Sequence, residues 1–156
     1  PKMTAAEATD KSAEVMEQVG VDPAWITRYP HEFSGGQRQR ISIARGLILD
    51  PQFIVADEPV SALDVSIQAQ ILNLLMELME KRNLTYLFIT HDLATVKAIA
   101  DKIVIMLEGK IIEQGEKKQV LSPPHHKYTD KLLASIPEMD PDWLDRLLAE
   151  RASTFI

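Results

Sequence analysis

The pattern of apolar and polar positions predicts both helices and strands along this chain. Apolar residues recur every three or four positions from Thr4 to Gly20 and from Val65 to about Arg82, which is the period of an amphipathic helix. Short unbroken apolar runs at Phe53–Ala56 and Thr85–Thr90 are typical of strands buried on both faces of a parallel sheet. The pattern therefore predicts an α/β fold, a mainly parallel sheet flanked by helices. The buried stripe of the second helix is predicted to comprise Ile67, Ile71, Leu74, Leu75 and Leu78.

The rest of the pattern adds shorter elements. Trp25 and Tyr29 are predicted to pack in the core. The further predicted elements are a helix with Ile41, Ala44 and Ile48 on one side, a helix at Leu93–Ala100 capped by Asp92, a hairpin of Lys102–Leu107 and Lys110–Gln114, a short helix at Lys117–Leu121, and beyond Pro141 a helix with Trp143, Leu144, Leu147 and Leu148 on one side.

Two carboxylates, Asp57 and Glu58, follow the first predicted strand directly. Ligands of parallel α/β sheets bind beyond the carboxyl ends of the strands, so adjacent acids there can hold a metal and a water. Alternation along the strand sends the two side chains in different directions, which suits two separate roles. A pair of acids that merely ends a strand is the alternative when this pair is considered by itself.

The second candidate feature is the helix start at Ser34-Gly35-Gly36-Gln37. Ser34 and Gln37 have the spacing of a capping box. Gly35 and Gly36 leave the first amides of the helix uncovered, and such amides, together with the helix dipole, bind anions such as phosphate. A flexible helix start is the alternative for the two glycines taken alone.

Four segments in this order resemble the ATP-binding subunit of an ABC transporter. FSGGQRQR resembles its signature, FIVADEP its Walker B strand, SALD its D-loop and ITHD its switch histidine, His91. From Ser122 onward the chain resembles the C-terminal extension of the dipeptide and oligopeptide importer branch. The resemblance implies part of a P-loop NTPase fold, with the end of the helical subdomain at residues 1–32, the ATPase core at 33–121 and the extension at 122–156.

The resemblance also implies an ATP- and Mg²⁺-dependent hydrolysis at a site shared by two head-to-tail subunits. Asp57 would hold Mg²⁺, Glu58 would polarise the attacking water, and His91 would contact the γ-phosphate from the same subunit. Ser34, Gly35, Gly36 and Gln37 would reach the nucleotide of the opposite subunit, and Asp64 in the D-loop would couple the two sites. The implied partners are an identical or related ATP-binding subunit, transmembrane permease subunits and, indirectly, an extracytoplasmic substrate-binding protein.

The phosphate-binding loop of that family does not occur in this sequence. No segment fits G-x-x-x-x-G-K-S/T, whose amides and lysine would cradle the ATP phosphates. The chain starts at Pro1 rather than at a methionine, so we expect roughly the second half of a longer subunit. Because phosphoryl transfer depends on positioning, the chain by itself is expected to bind ATP poorly and to be inactive.

The composition limits the classes of binding partner that this chain can have. The 156 residues carry 17 basic and 23 acidic side chains, and a net charge of −6 argues against nucleic-acid binding through phosphates. The absence of cysteine excludes disulfides and an iron–sulfur cluster, and no apolar run reaches the roughly 18 residues that span a bilayer. The implied location is the cytoplasmic face of the membrane, through the permease subunits.

Two alternatives stay open at this point. ABC-type DNA-repair and chromosome ATPases share the signature and Walker B segments, although this chain has neither their long coiled coils nor their zinc cysteines. A truncated module that only binds a membrane subunit or dimerises is the other alternative. His125 and His126 are interpreted as a polar loop rather than a metal site, because no acid or cysteine stands at ligand spacing.

Overall fold

The computed structural model describes residues 4–134 of the chain and divides them into two units, which meet in sequence between Ile89 and Thr90. The α/β fold class is confirmed. The helices are α1 (Ala5–Gln18), α2 (Gly35–Leu47), α3 (Val65–Arg82), α4 (Leu93–Ile99), α5 (Lys117–Val120) and α6 (Lys127–Ala134). The strands are β1 (Phe53–Asp57), β2 (Thr85–Ile89), β3 (Lys102–Leu107) and β4 (Lys110–Glu116), and short 3₁₀ turns lie at Pro23–Trp25 and Pro30–Glu32.

The first unit packs α1, α2 and α3 with the two parallel strands β1 and β2. Its core takes one side of each helix, and the strands add Ile54 and Tyr86. The predicted stripe of α3 is buried except for Ile67, which is only partly covered. Each fully buried aliphatic side chain contributes about 1.5–3 kcal/mol. The buried core residues are Val15, Met16, Val19, Val21, Ala44, Leu47, Leu74, Leu78 and Leu84.

Strands β1 and β2 are paired in parallel, with Val55 opposite Leu87 and Asp57 opposite Ile89. The prediction that both strands are buried on both faces is wrong for the described residues. One face packs on the helices, but on the other Val55 is 55% exposed and Leu87 is 49% exposed. Alternating side chains point to opposite faces of a sheet, and here helices cover only one of them.

Long-range polar contacts tie the three helices of the first unit together. The Arg40 Nη1 donates to the carbonyl of Val19, the C-cap of α1, at 2.7 Å. Asp50, just beyond α2, accepts from Lys11 Nζ at 2.6 Å and from Arg82 Nη1 at 3.1 Å. These contacts set the helix directions where the apolar core alone leaves freedom.

The second unit contains the predicted hairpin of β3 and β4, which pair antiparallel with an irregularity between Ile105 and Met106. Its small core is made of Ile103, Ile105 and Val120. The first part of the extension packs here, because Tyr128 and Leu132 contact this core. The extension is also held by Glu113 of β4, which accepts from the backbone N–H of His126 at 3.1 Å and from the Thr129 hydroxyl.

Two predictions on aromatic residues have different outcomes. Trp25 packs against the core of the first unit and lies 6.1 Å from the ring of Phe33. Tyr29 is 66% exposed and stacks on His31, so its prediction as a core residue is wrong. Pro30 begins a 3₁₀ turn at the surface and carries the tyrosine outward with it. The predicted helix beyond Pro141 lies outside the described residues.

Candidate functional site

The start of α2 is closed by a reciprocal capping box, as predicted. The Ser34 Oγ accepts from the Gln37 N–H at 3.2 Å, and the Gln37 Oε1 accepts from the Ser34 N–H at 3.0 Å. Ser34 is the N-cap, so Gly35 and Gly36 are the first two residues of the helix. Their amides lie at the positive end of the helix dipole, where an anionic group is favoured.

This helix start lies against the segment that follows β1. A Cβ atom added to Gly35 would lie 3.5 Å from Cδ2 of Leu63, and one added to Gly36 would lie only 2.8 Å from Cγ2 of Ile67. The second distance is too short for a real side chain, so Gly36 is needed for the close approach of α2 to the first turn of α3. The structure thus brings together the signature segment and the D-loop (Ser61–Asp64).

Asp57 and Glu58 lie at the carboxyl end of β1, and both side chains are exposed. The Glu58 N–H donates to the carbonyl of Ile89 at 2.8 Å, so β2 still holds the residue that follows β1. Glu58 has φ 44°, in the left-handed region that disfavours a side chain. Such strain is maintained by surrounding structure and is concentrated at functional sites.

The D-loop is fixed by hydrogen bonds along its whole length. At its start, the carbonyl of Glu58 accepts from both the N–H and the hydroxyl of Ser61, at 3.3 and 3.2 Å. In its middle, the Leu63 N–H donates to the carbonyl of Val60 at 3.2 Å, and Gln68 of α3 donates to the same carbonyl. The path from the carboxylates to α3 is therefore one defined turn.

Asp64 is the N-cap of α3. Its Oδ1 accepts from the Ile67 N–H at 3.1 Å and from the Ser66 hydroxyl at 2.8 Å. The Ile67 N–H, and after it the Ser66 hydroxyl, lower the pKa of Asp64 below its usual value. The aspartate is thus a charged cap, and its capping role accounts for the contacts it makes within the described part of the chain.

His91 belongs to the second unit, two residues beyond the end of β2 along the chain, and its side chain is exposed. Asp92 caps α4 as predicted and accepts from the N–H groups of Ala94 and Thr95 at 2.9 and 3.2 Å. Asp92, rather than His91, therefore caps the helix that follows.

The two histidines of the extension each contact a neighbouring polar group. His125 Nδ1 lies 2.8 Å from an oxygen of Asp130, and His126 Nδ1 accepts from the Tyr128 N–H at 3.2 Å. The hydroxyl of Thr129 lowers the pKa of Glu113. Between residues 4 and 134 no three acidic or histidine side chains converge as a metal site would require.

The exposed Asp57 suits Mg²⁺ chemically. In nucleotide sites Mg²⁺ is bound through one or two carboxylates, and phosphate oxygens and waters complete its shell. A carboxylate at the end of a parallel strand, without a complete protein cage around it, fits that donor set.

None of the helices in the described residues is long and apolar enough to span a membrane.

Two family models match this sequence. One is described as ABC transporter and matches residues 1–61, and the other as oligopeptide/dipeptide transporter, C-terminal region, and matches residues 112–154. The dipeptide transport ATP-binding protein DppF of Lactococcus lactis subsp. cremoris is 57% identical over 138 residues, which are 88% of this chain and 44% of the relative. The chain belongs to the ABC transporter family. The predicted likeness to the dipeptide and oligopeptide importer branch is confirmed.

Other relatives of this ABC transporter chain agree. The oligopeptide transport ATP-binding protein OppF of Bacillus subtilis is 54% identical over 90% of the chain and 46% of the relative. An ATP-binding cassette of an ABC transporter solved in its ADP conformation has a TM-score of 0.70 and 30% identity over 86% of the chain and 52% of the solved one. A dimeric cassette bound to ADP and Pi has a TM-score of 0.63 and 28% identity over 74% of the chain and 50% of the solved one. The chain thus spans less than half the length of the two curated transport proteins, DppF and OppF.

Residue-by-residue analysis of the sequence missed two side chains of this ABC transporter chain that shape the site. Gln68 was not singled out, although a glutamine one turn after the cap Asp64 could have been recognised as a residue able to reach back to the D-loop. Arg40 was not assigned to any packing contact, whereas it donates to the carbonyl of Val19 at the end of α1. The signal for Arg40 lies only in the packing of two helices.

Proposed function

We propose that this chain is part of the ATP-hydrolysing subunit of an ABC importer, and that peptides are the imported substrates. The observation that carries the proposal is the close packing of the signature segment on the D-loop, with Asp57 and Glu58 exposed at the strand end that leads into that loop. The family match supports the transport role, as do the relatives, which are dipeptide and oligopeptide transport ATP-binding proteins.

In the proposed reaction Asp57 would hold the Mg²⁺ that accompanies ATP, and this ion would neutralise part of the phosphate charge. Glu58 orients the attacking water and receives its proton. The strained backbone at Glu58 and its bond to Ile89 support this role, because they fix the backbone that carries this carboxylate at the strand end. His91 contacts the γ-phosphate in the same subunit.

Ser34, Gly35, Gly36 and Gln37 act on the nucleotide of a second subunit. The uncovered amides at the start of α2 support this role, because they match a phosphate in charge and in donor chemistry. Asp64, in the D-loop, helps to couple the two nucleotide sites. The second subunit is an identical or related chain, and the dimeric cassette among the structural relatives supports such a pairing.

The remaining partners follow from the importer role. Permease subunits carry the peptide across the membrane, and an extracytoplasmic binding protein delivers it to them. The subunit then lies on the cytoplasmic face of the membrane. The matched extension supports peptides as the substrate class, since its family model is that of oligopeptide and dipeptide transporters.

The proposal separates the activity of a complete subunit from that of this chain alone. Without a G-x-x-x-x-G-K-S/T loop in its sequence, the chain is expected to give no heat with MgATP at millimolar concentration in a calorimetric titration. Saturable binding at micromolar ATP that is lost in Asp57→Ala would contradict this and reveal a different phosphate site.

The catalytic assignment is tested in a chimera in which this chain replaces the part of the Lactococcus lactis protein that it matches. We expect steady ATP hydrolysis by the chimera and at least a hundredfold slower turnover after Glu58→Gln, with Glu80→Gln, an exposed substitution of the same kind on α3, as the matched control. A chimera that binds ATP but hydrolyses it equally fast with Glu58→Gln would refute the assignment.

A further inference from the structure

Gln68 on α3 makes two side-chain contacts with the backbone of the preceding turn. Its Nε2 lies 3.0 Å from the carbonyl oxygen of Val60 and 3.0 Å from that of Leu63. Both partners can only accept, so the nitrogen end of the side-chain amide must face them, and both of its hydrogens are used. The side chain thus connects the two ends of the central turn of the D-loop.

These two carbonyls belong to the residues that determine where the D-loop lies. Val60 is 4% exposed and anchors the loop in the protein. Leu63 carries the side chain that contacts the position of Gly35 at the start of α2. Without the amide of Gln68, the backbone bond from the Leu63 N–H to the Val60 carbonyl would be the remaining bond between these two residues, and the bonds of Ser61 to the Glu58 carbonyl would hold only the start of the loop.

Helix initiation does not require these contacts. Asp64 already caps α3 by accepting from the Ile67 N–H, and the backbone N–H of Gln68 makes an ordinary helical bond to the Asp64 carbonyl at 2.8 Å. A leucine or methionine would continue the helix as well as glutamine does. The two side-chain bonds therefore act on the loop and not on the helix.

We propose that Gln68 is a positioning residue that holds the D-loop and the start of α2 as one rigid element. The inference rests on the proposed function, in which both segments act at the nucleotide of a second subunit. By fixing Leu63, Gln68 sets the position of the loop relative to Gly35 and Gly36. The groups that contact the second subunit are then already ordered relative to one another, so less conformational entropy is lost when the two subunits assemble.

The first test measures the loop itself in the full 156-residue chain. Gln68→Met removes both donors while keeping an unbranched side chain, and Gln68→Glu replaces the donors by acceptors that face two carbonyls. The matched controls are Gln70→Met and Gln70→Glu, because Gln70 lies on the same helix but is exposed. We expect amide hydrogen exchange at Leu63 to become about tenfold faster in the Gln68 variants only.

The second test measures ATP hydrolysis in the chimera described above. We expect the Gln68 variants to lower kcat about tenfold or more, to leave the KM for ATP unchanged, and to keep Tm close to that of the Gln70 controls. A residue that only stabilises the fold would lower Tm and leave kcat of the folded fraction unchanged.

The outcomes separate this inference from the proposed function. Gln68 variants that match the Gln70 controls in both exchange and kcat would overturn the inference while the parent chimera stays active. A parent chimera that hydrolyses no ATP would overturn the proposed function and, with it, the expected effect of Gln68 on hydrolysis. Hydrogen exchange at Leu63 would then still show whether Gln68 holds the loop.

Discussion

Gly35 and Gly36 are adjacent, helical and chemically identical, yet the structure predicts opposite effects when each is replaced by alanine. Alanine in a helix gains about 0.5–1 kcal/mol over glycine, mainly because the unfolded chain has less freedom to lose. At Gly35 the new Cβ would lie 3.5 Å from Cδ2 of Leu63, an ordinary contact. We therefore expect Gly35→Ala to be neutral or stabilising.

At Gly36 the new Cβ would lie 2.8 Å from Cγ2 of Ile67. The best separation of two carbon atoms is about 3.5–4.0 Å, so one helix must shift by roughly 0.7 Å or more. Ile67 is β-branched and stiff in a helix, and overpacking of this kind costs about 1–3 kcal/mol. Because both variants share the alanine gain, it cancels in the comparison, and Gly36→Ala should be about 1–3 kcal/mol less stable than Gly35→Ala.

Urea unfolding followed by tryptophan fluorescence measures this difference. Trp25 packs in the first unit, so Trp143→Phe in every variant leaves one reporter there. Ile67→Ala removes the obstructing carbon, whereas Ile67→Val keeps it. Ile67→Ala should therefore abolish the penalty of Gly36→Ala and Ile67→Val should not. Equal stabilities of the two glycine variants, or a penalty that persists with Ile67→Ala, would refute the close-approach argument.

Three further predictions concern stability and association. The hydroxyl of Tyr86 is buried without a hydrogen-bond partner among the described residues, and burial raises the pKa of Tyr86 to about 12. The parent chain should therefore lose stability between pH 10 and pH 12, and Tyr86→Phe should abolish this loss and stabilise the chain by about 1 kcal/mol, as measured by urea unfolding. The hydrogen bond from Lys11 lowers the pKa of Asp50 in the folded chain, so the Asp50 carboxylate stabilises the fold above its pKa in the unfolded chain, and this stabilisation is lost as the pH falls through its pKa in the folded chain. Asp50→Asn, which tolerates the φ of 50°, should make acid unfolding less steep, and identical acid profiles of the two proteins would contradict this. The exposed face of β1 and β2 should promote self-association, so Val55→Lys combined with Leu87→Glu should lower the particle mass seen by light scattering, and a parent chain that is monomeric at high concentration would contradict the prediction.

The sequence by itself determined the elements and the local chemistry at their ends. The capping box of Ser34 and Gln37, the cap Asp64 and the hairpin around Glu108-Gly109 are each made by residues within a few positions of one another, so a short stretch of chain contains all the information. The family resemblance was visible for the same reason, because each of its segments is short and continuous.

Tertiary structure alone decided which of these elements meet. Gly36 has no room for a side chain because α2 closely approaches α3. This approach depends on the directions of both helices. Arg40 and Asp50 help to set these directions through contacts between residues far apart in sequence, which local periodicity does not encode. Burial was misjudged at Val55 and Leu87 because an apolar run shows that a strand can be covered, and only packing shows how many of its faces are. Gln68 lies between these cases. A glutamine one turn after the cap Asp64 is able to reach back, and the folded turn shows that it binds the carbonyls of Val60 and Leu63.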